Sequence, residues 1–478
     1  MNHLFCNFIL FLLTFCQIST AELLASHVKS KPPNIVLILC DNLGYGDIEP
    51  FGSKLHRTPH LNRLAESGRK FTHFYSASGV CTPSRAALMT GCYPQRVDMA
   101  ITDGAVLRPV SPIGLNPNEW TMAEHLQKAG YATAAFGKWH LGDQPDYLPT
   151  NQGFDYFEGI PYSDDMTPRE GQNWPPLPYM INNEVVDAPV DRDQMAKRLT
   201  ISACEWIKDH QKEPFFVYIP KCMPGSTQAP FASEDFKGKS KNGPWGDSVE
   251  EIDWSLGEIV RTLSDLDLTD NTLIIWTSDN GAPRRTPVQG SNLPLSGWGY
   301  TTSEGGMRVP CIMSWPGTIP AGTVCDELST MMDLYPTAAK LSQHPLDNTV
   351  PRDGHNILPL MLGQKNASSP YEAFYYYQMD QLQAVRSGKW KLYLPIESRS
   401  RTRNGSPQQQ TLQLYDVVED PAESKNLAES KPKVVDQLTQ LTVKAKTELG
   451  DYQQPGSQVR PHAVRDVALP LLLTTPAP

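Results

Sequence analysis

The sequence has little positive charge. Its 42 lysines and arginines are outnumbered by 52 aspartates and glutamates, which gives a formal net charge of −10 at pH 7. Binding to nucleic acid or to an anionic membrane needs a basic surface, so neither partner is expected. An anionic substrate would need a local cluster of cations, or a metal ion, to overcome the overall negative field.

Long apolar runs are also scarce, and the clearest one lies at the start of the chain. The segment Phe8–Phe15 is apolar and is followed by small and polar residues up to Ala21, as in a secretory signal peptide. The polar, proline-containing segment Lys29–Pro33 argues against a buried helix here. We therefore predict export through a signal peptide over residues 1–21, and no transmembrane segment in the mature protein.

Cysteines are few and irregularly spaced. Two of the nine, Cys6 and Cys16, lie in the predicted signal peptide, so the remaining number is odd and at least one is unpaired. Their spacing fits neither a zinc site nor a small disulfide-rich domain. We expect Cys40, Cys204 and Cys311 to be small buried residues.

Buried strands alternate with helices over most of the chain. The continuous apolar run Asn34–Cys40 predicts a central parallel strand that is buried on both faces. A second such run, Asn271–Trp276, follows a strongly amphipathic helix over Asp247–Leu266. This alternation predicts an α/β domain over residues 32–370, with a large, mixed but mostly parallel central sheet between layers of helices.

The pattern changes from about residue 371. Ala384–Leu394 and Leu412–Val417 have the character of antiparallel strands, and a helix is predicted over Pro432–Glu448. We predict a smaller α+β subdomain with an antiparallel sheet over residues 371–450, and a tail over residues 451–478.

Acidic and amide side chains follow both predicted central strands. The pairs Asp41-Asn42 and Asp279-Asn280 come directly after, or close to, the ends of these strands. Ligands of open α/β sheets bind at the carboxyl ends of the strands. Four oxygen donors would suit Ca²⁺ or Mg²⁺ there, although such pairs are also common in turns and helix caps.

Cys81 lies where a helix is predicted to begin. In the run Cys81-Thr82-Pro83-Ser84-Arg85, the proline suits the first turn of a helix. The free N–H groups and the dipole of a helix N-terminus favour anions. The residues alone leave open a role at an anion site, a thiolate nucleophile and a structural cysteine at a turn.

The run Cys81–Gly91 resembles the signature of the type I sulfatases of the alkaline-phosphatase-like superfamily, which is Cys-x-Pro-x-Arg followed by a short helix and Thr-Gly. The resemblance extends from about Pro32 to Glu429, most of the chain, and implies that superfamily's fold and the hydrolysis of sulfate esters. Four further segments agree with the family: Pro33–Asp47, Gly137–Gly142, Thr277–Gly281 and Glu304–Pro310.

The resemblance also implies a cofactor chemistry. In that family the cysteine is oxidised to formylglycine by a formylglycine-generating enzyme during export, and the hydrated aldehyde acts as the nucleophile beside a divalent metal. Calcium is the expected ion, with magnesium as the alternative. The implied metal ligands are Asp41, Asn42, Asp279 and Asn280. The implied catalytic residues are Cys81, Arg85, Lys138 and His140, with the histidine as the base.

The sequence departs from the family pattern at three places. Asn42 stands where the family usually has a second aspartate, which removes one negative charge from the metal ligands. The Pro-His that often follows the strand Phe215–Ile219 is replaced by Met223–Ser226. The lysine that often precedes Glu304 is absent from Gly297–Tyr300.

Other side chains could take over from these missing groups. Lys221, Arg284 or Arg285 could supply positive charge, and Tyr300 or Ser226 could hydrogen-bond the ester. Each of these residues is equally compatible with an ordinary solvated loop.

By family analogy the favoured substrate is a sulfated carbohydrate. Two other functions stay open. The missing histidine and lysine would suit a degenerate sulfatase that binds sulfated glycans without turnover. A phosphonate or phosphate monoester hydrolase of the same superfamily is the other alternative, although a site with fewer cations favours a sulfate monoanion over a phosphate dianion.

Overall fold

The computed structural model describes residues 32–225, 229–396 and 411–473. The predicted signal peptide and Ser226 lie outside the described residues. Within those three ranges, every helix is too short or too polar to cross a membrane.

Strands and helices are numbered in chain order. The described strands are β1 (Asn34–Asp41), β2 (Arg69–Tyr75), β3 (Ile113–Gly114), β4 (Ala132–Lys138), β5 (Tyr156–Ile160), β6 (Tyr179–Ile181), β7 (Glu184–Asp187), β8 (Phe215–Pro224), β9 (Thr272–Ser278), β10 (Arg308–Ser314), β11 (Thr323–Cys325), β12 (Ser329–Thr330), β13 (Phe374–Gln378), β14 (Gln381–Ser387), β15 (Trp390–Tyr393), β16 (Gln413–Asp416), β17 (Gly450–Asp451), β18 (Gln454–Pro455) and β19 (Ala463–Val464). The described α-helices are α1 (Pro59–Ser67), α2 (Cys81–Thr90), α3 (Met122–Lys128), α4 (Arg192–Asp209), α5 (Gly243–Asp265), α6 (Glu304–Met307), α7 (Leu334–Leu341), α8 (Leu358–Met361) and α9 (Pro432–Glu448).

Among the described residues, 11 strands form one mixed sheet. Its order is β11-β2-β10-β9-β1-β8-β4-β5-β6-β7, and β12 pairs with β2. The central strands β9, β1, β8, β4 and β5 pair in parallel, whereas β10, β6 and β7 pair with their neighbours only in antiparallel fashion. The prediction of a mixed, mostly parallel central sheet is confirmed.

Strand β1 lies at the centre of this sheet because both of its faces are apolar. All eight of its residues are buried. Ile35 and Leu37 face a core formed with α2, α3 and α7, whereas Val36 and Ile38 face a core formed with α1, α4 and α5. Alternate residues of one continuous apolar strand therefore serve the two helical layers.

A four-stranded antiparallel sheet, in the order β13-β14-β15-β16, follows in the C-terminal part, and α9 packs on it. The antiparallel sheet and the helix over Pro432–Glu448 agree with the prediction. The single strand predicted over Ala384–Leu394 is wrong, because the chain turns between Ser387 and Trp390 to form the β14–β15 hairpin. Gly388 makes this turn with a φ of +54°, a conformation that glycine adopts without strain.

One buried carboxylate connects the two sheets. The hydroxyl groups of Tyr75 and Tyr376 donate to Glu304 at 2.6 and 3.0 Å, and the Lys391 ammonium donates to it at 3.0 Å. Burial opposes ionisation of Glu304, but the charges of Lys391 and Arg308 outweigh it and lower the pKa to about 2. The start of the Glu304-Gly305-Gly306 motif is thus a structural anchor between the sheets.

The C-terminal segment returns to the first part of the chain. Strand β19 pairs with β3. The Leu469 N–H donates to Gln144 at 2.9 Å, and the Gln144 amide donates back to the Leu469 carbonyl at 3.2 Å. Arg460 Nε donates to Glu119 at 2.6 Å. The described part of the predicted tail is therefore fastened to the α/β region by side chains and backbone.

Candidate active site

The predicted site residues lie at one edge of the central sheet. Strand β1 ends at Asp41, β4 ends at Lys138, and Asp279 directly follows β9. These strands run in the same direction within the order β9-β1-β8-β4, so their carboxyl ends lie together. Cys81 opens α2 beside them and is 3% exposed.

Arg85 links both strand-end carboxylates. It lies one helical turn after Cys81, on the same face of α2. Its Nη2 donates to Asp41 and to Asp279, each at 2.8 Å, and its Nη1 donates to the Lys138 carbonyl at 2.6 Å. The side chains of Arg85, Asp41 and Asp279 are fully buried. The guanidinium therefore sets the positions of the two acidic groups.

Lys138 adds a second cation to this cluster. Its Nζ lies 2.6 Å from Asp41 Oδ1 and 3.1 Å from Ser163 Oγ. Burial opposes ionisation of Asp41, but the charges of Lys138 and Arg85 outweigh it and lower its pKa to about 2. Asp41 is therefore a carboxylate at neutral pH, held between two cations.

Oxygen donors for a cation surround Cys81. One ligating atom from each of Asp41, Cys81 and Asp279 lies within 4.8 Å of the others. Asn42 Oδ1 is 3.8 Å from Cys81 Sγ and accepts from Asn280 Nδ2 at 2.6 Å. Asn280 Oδ1 is buried and has no hydrogen-bond partner in the described part of the chain. Carboxylate and amide oxygens together fit a hard divalent cation such as Ca²⁺ or Mg²⁺.

The backbone at Asn42 adopts a left-handed conformation, with a φ of 60°. Asparagine tolerates this region better than most residues other than glycine. The turn directs the Asn42 amide back onto β1, where its Nδ2 donates to Asp41 Oδ2 at 3.1 Å. An amide at this position therefore keeps the turn and one oxygen donor but adds no charge.

His140 is a neutral base in this arrangement. Its Nε2 lies 3.0 Å from the Leu107 carbonyl oxygen, which can only accept, so Nε2 carries the hydrogen. Burial lowers the pKa of the imidazole well below its usual value, and the charges of Lys138 and Arg85 lower it further. Its Nδ1 is buried and finds no hydrogen-bond partner among the described residues. The free lone pair on Nδ1 can accept a proton.

Close backbone packing explains the glycine before Lys138. Gly137 has a φ of 141°, and a Cβ at this residue would lie 1.8 Å from the Pro220 carbonyl oxygen on β8. Only glycine lets β4 approach β8 at this edge. Ser163, which contacts Lys138, was missed from the sequence. It follows the end of β5, so the strand-end argument that identified Asp41 could have found it.

Tyr300, predicted as a substrate-binding residue, lies beside Cys81. Its N–H donates to the Gly79 carbonyl at 2.8 Å, in the loop before α2. Burial raises the pKa of its phenol well above the usual value, and the neighbouring Cys81 raises it further, whereas Arg285 opposes the shift. Arg285 is partly buried, and Arg284 is exposed.

Lys221, also predicted to bind substrate, lies on β8 with its side chain directed toward helices α4 and α5. Its ammonium donates to Ser255 on α5 and lies 3.4 Å from Thr200 on α4. Burial lowers its pKa to about 8. Within the ranges that the structure describes, no hydrogen bond or ion pair joins it to the group around Cys81, and the prediction for Ser226 falls outside those ranges.

Comparison with known proteins identifies the family. The family model named Sulfatase matches residues 33–344. The chain belongs to the sulfatase family. A second model, described as the C-terminal part of N-sulphoglucosamine sulphohydrolase, matches residues 300–451 of this sulfatase. The resemblance drawn from the Cys81 motif is confirmed.

Curated relatives and a solved structure agree. The sulfatase is 38% identical to human arylsulfatase A over 464 residues, covering 88% of this chain and 89% of the relative. It is 38% identical to dog N-acetylgalactosamine-6-sulfatase, with 76% of this chain and 72% of the relative covered. A structure described under metabolism of multiple glycosaminoglycans by Bacteroides thetaiotaomicron matches with a TM-score of 0.75 at 30% identity, covering 88% of this chain and all of that one. The protein is a sulfuric ester hydrolase of the alkaline-phosphatase-like superfamily.

Proposed function

We propose that this sulfatase removes sulfate from carbohydrates, with a formylglycine made from Cys81 as the nucleophile and a divalent metal beside it. The observation that carries the proposal is the convergence of Cys81 with two carboxylates and two cations at one sheet edge. The names of a galactosamine sulfatase and of a glycosaminoglycan-metabolism structure among its relatives support a carbohydrate substrate. The proposed metal ligands are Asp41, Asn42, Asp279 and Asn280.

Two groups would supply chemistry that ordinary side chains lack. The metal, when bound, would stabilise negative charge on oxygen and favour the ionised form of a nearby hydroxyl. The hydrated aldehyde of formylglycine would provide an oxygen nucleophile together with a second hydroxyl for releasing sulfate. Making it from Cys81 requires a formylglycine-generating enzyme as a maturation partner.

The protein's own cations would bind the sulfate. The Lys138 ammonium donates two hydrogen bonds, one to Asp41 and one to Ser163. An ammonium has three donors, so the third can reach a non-bridging sulfate oxygen. Arg85 keeps Asp41 and Asp279 in place during the reaction, because it is bonded to both.

His140 would move the proton. Its Nε2–H is committed to the Leu107 carbonyl, which fixes the ring and leaves Nδ1 as the acceptor. The imidazole is neutral at physiological pH because burial and two neighbouring cations lower its pKa. Nδ1 would therefore be the atom of His140 that accepts a proton when sulfate is released.

Mass spectrometry and sulfate release test this proposal together. Protein co-produced with a formylglycine-generating enzyme should carry the aldehyde at residue 81 and release sulfate from sulfated saccharides. Cys81→Ala should lose this activity, whereas Cys311→Ala, a buried cysteine on β10, should keep it. Full activity with unmodified Cys81, or in Cys81→Ala, would overturn the formylglycine mechanism.

Substrate comparisons with the same protein distinguish a sulfatase from the two alternative functions. Matched aryl sulfate and aryl phosphate substrates should favour the sulfate, because few cations are available for a dianion. Faster phosphate hydrolysis would point to the phosphate monoester alternative. Tight binding of sulfated saccharides without release, by protein that carries the aldehyde, would point to a degenerate sulfatase.

We also propose that the chain is exported by its N-terminal segment. The apolar run Phe8–Phe15 and the small residue Ala21 support cleavage near residue 21. N-terminal sequencing of protein from the native host should begin shortly after Ala21. Protein that retains Met1 and stays inside the cell would contradict export.

A further inference from the structure

Arg285 is a cation for which the described residues offer no counterion. Its Nε and Nη2 are both buried, and neither has a hydrogen-bond partner in that part of the chain. A buried donor left without an acceptor is costly. A guanidinium cannot relieve the cost by losing its proton. An acceptor from outside the chain would satisfy both nitrogens.

The backbone fastens the segment that carries Arg285 to the active site. This segment follows the proposed metal ligands Asp279 and Asn280 directly. The Gly299 N–H donates to the Ala282 carbonyl at 2.8 Å, and the next residue, Tyr300, donates to the loop before Cys81 at 2.8 Å. Tyr300 is partly buried, and the charges of Cys81 and Arg285 both affect the pKa of its phenol. The segment that carries Arg285 is thus joined by the chain to a proposed metal ligand and, through Gly299 and Tyr300, to the loop before Cys81.

The two cations next to Cys81 already have partners in the active site. Arg85 and Lys138 are both paired with Asp41, and their charges are the ones that act on Cys81. Arg285 makes no described ion pair with this group. Arg285 is therefore a cation separate from the pair that holds Asp41.

We propose that Arg285 binds a second anionic group of the substrate, a carboxylate or another sulfate, next to the ester that is cleaved. The two unsatisfied nitrogens, Nε and Nη2, lie on one edge of the guanidinium plane. That edge binds two oxygens of one carboxylate or sulfate through parallel hydrogen bonds. The inference rests on the proposed function and narrows its substrate class to carbohydrates with a negative charge beside the scissile sulfate.

The test compares charged and neutral leaving groups. Arg285→Gln removes the charge and keeps a polar side chain, and Arg284→Gln makes the same change at the exposed neighbour. The substrates are nitrophenyl sulfate, a monosulfated chondroitin disaccharide, the same disaccharide with its carboxyl group reduced to an alcohol, and a disulfated disaccharide. Circular dichroism and thermal melting check that each variant folds.

Arg285→Gln should lower kcat/KM for the disaccharide with the recognised anion by about 10- to 100-fold, the effect of losing a charged hydrogen-bonded partner. It should change kcat/KM for nitrophenyl sulfate by less than about twofold, and Arg284→Gln should change kcat/KM for neither substrate.

The identity of the anion follows from the substrates that are affected. A loss that vanishes on carboxyl reduction identifies a carboxylate. A loss confined to the disulfated substrate identifies a second sulfate. Arg285→Lys should lose less activity than Arg285→Gln but more than the wild type, since lysine keeps the charge and lacks the two-nitrogen edge.

An equal loss on nitrophenyl sulfate, or no loss on any disaccharide, would overturn the proposal. A wild-type protein that releases no sulfate from any substrate would instead overturn the proposed function. In that case, calorimetric titration with the same disaccharides still decides the role of Arg285. Weaker binding of the anionic disaccharides by Arg285→Gln would support it, and equal binding would refute it.

Discussion

Replacing Asn42 by aspartate should destabilise the metal-free protein and increase its stabilisation by calcium. The Asn42 amide donates to Asp41 at 3.1 Å in a wholly buried cluster. A carboxylate in its place turns this hydrogen bond into a like-charge contact of about 5 kcal/mol, at an effective dielectric constant of about 20. The pair can escape by binding a proton, which at pH 7 costs about 4 kcal/mol for a carboxyl of ordinary pKa. We therefore expect the free energy of unfolding to fall by at most about 4 kcal/mol.

Calcium should reverse this loss, because a divalent cation between the carboxylates turns repulsion into attraction. The assay is denaturant unfolding of both proteins in a chelator and in excess calcium. Asn34→Asp is the matched control: Asn34 is buried at the opposite end of β1, with its amide 3.3 Å from Thr272. Its loss of stability should be the same with and without calcium. A calcium response of Asn42→Asp no larger than that of the wild type would refute the assignment of residue 42 to a metal site.

Three further substitutions test the charge arrangement. Lys138→Met should lower kcat/KM for nitrophenyl sulfate by about 100- to 1,000-fold, because a preorganised cation is lost; a change below about tenfold would contradict sulfate binding by Lys138. The lowered pKa of His140 means that the unfolded chain binds the proton more tightly, so the contribution of His140 to stability should fall as the pH drops below 6.5. His140→Gln should flatten that dependence in denaturant midpoints measured from pH 7 to 5. Glu304, with its pKa lowered from 4.5 to about 2, contributes stability that is present above pH 4.5 and lost toward pH 2. Glu304→Gln removes one of two carboxylates beside the buried Lys391 and should cost about 3 kcal/mol in unfolding at pH 7, which thermal melting would reveal.

Local patterns were enough to predict the elements but not their arrangement. The central strands β1 and β9 are continuous apolar runs, and α9 has a clear amphipathic pattern, so each was found close to its observed bounds. The β14–β15 hairpin was missed because Gly388-Lys389 is a short turn inside an otherwise strand-like run. The sheet order depends on pairings such as Ile35 with Phe216 and with Leu273, and no local signal encodes a contact across such a distance.

Some features of the active site could likewise be predicted from local sequence, whereas others depend on the folded chain. Strand ends and the Cys81 motif led to Asp41, Arg85 and Lys138, because each belongs to a short segment with its own signature. Lys221 was expected in a loop, but β8 continues to Pro224 instead of ending at Ile219. Within the longer strand its side chain faces the helices α4 and α5. The tautomer of His140 depends on the Leu107 carbonyl, which only the folded chain brings to it.

The parallel pairing of β1 also fixes an order of events during synthesis. This strand is complete at Asp41, but its two neighbours begin only at Phe215 and Thr272. Such non-local pairing is slow to form, and until it forms β1 has two open edges that can aggregate. Cys81, only 3% exposed once folding is finished, stays accessible during the same interval. Any enzyme that modified Cys81 would have to act in that interval, so the delay that exposes the chain to aggregation would also be the time available for such a modification.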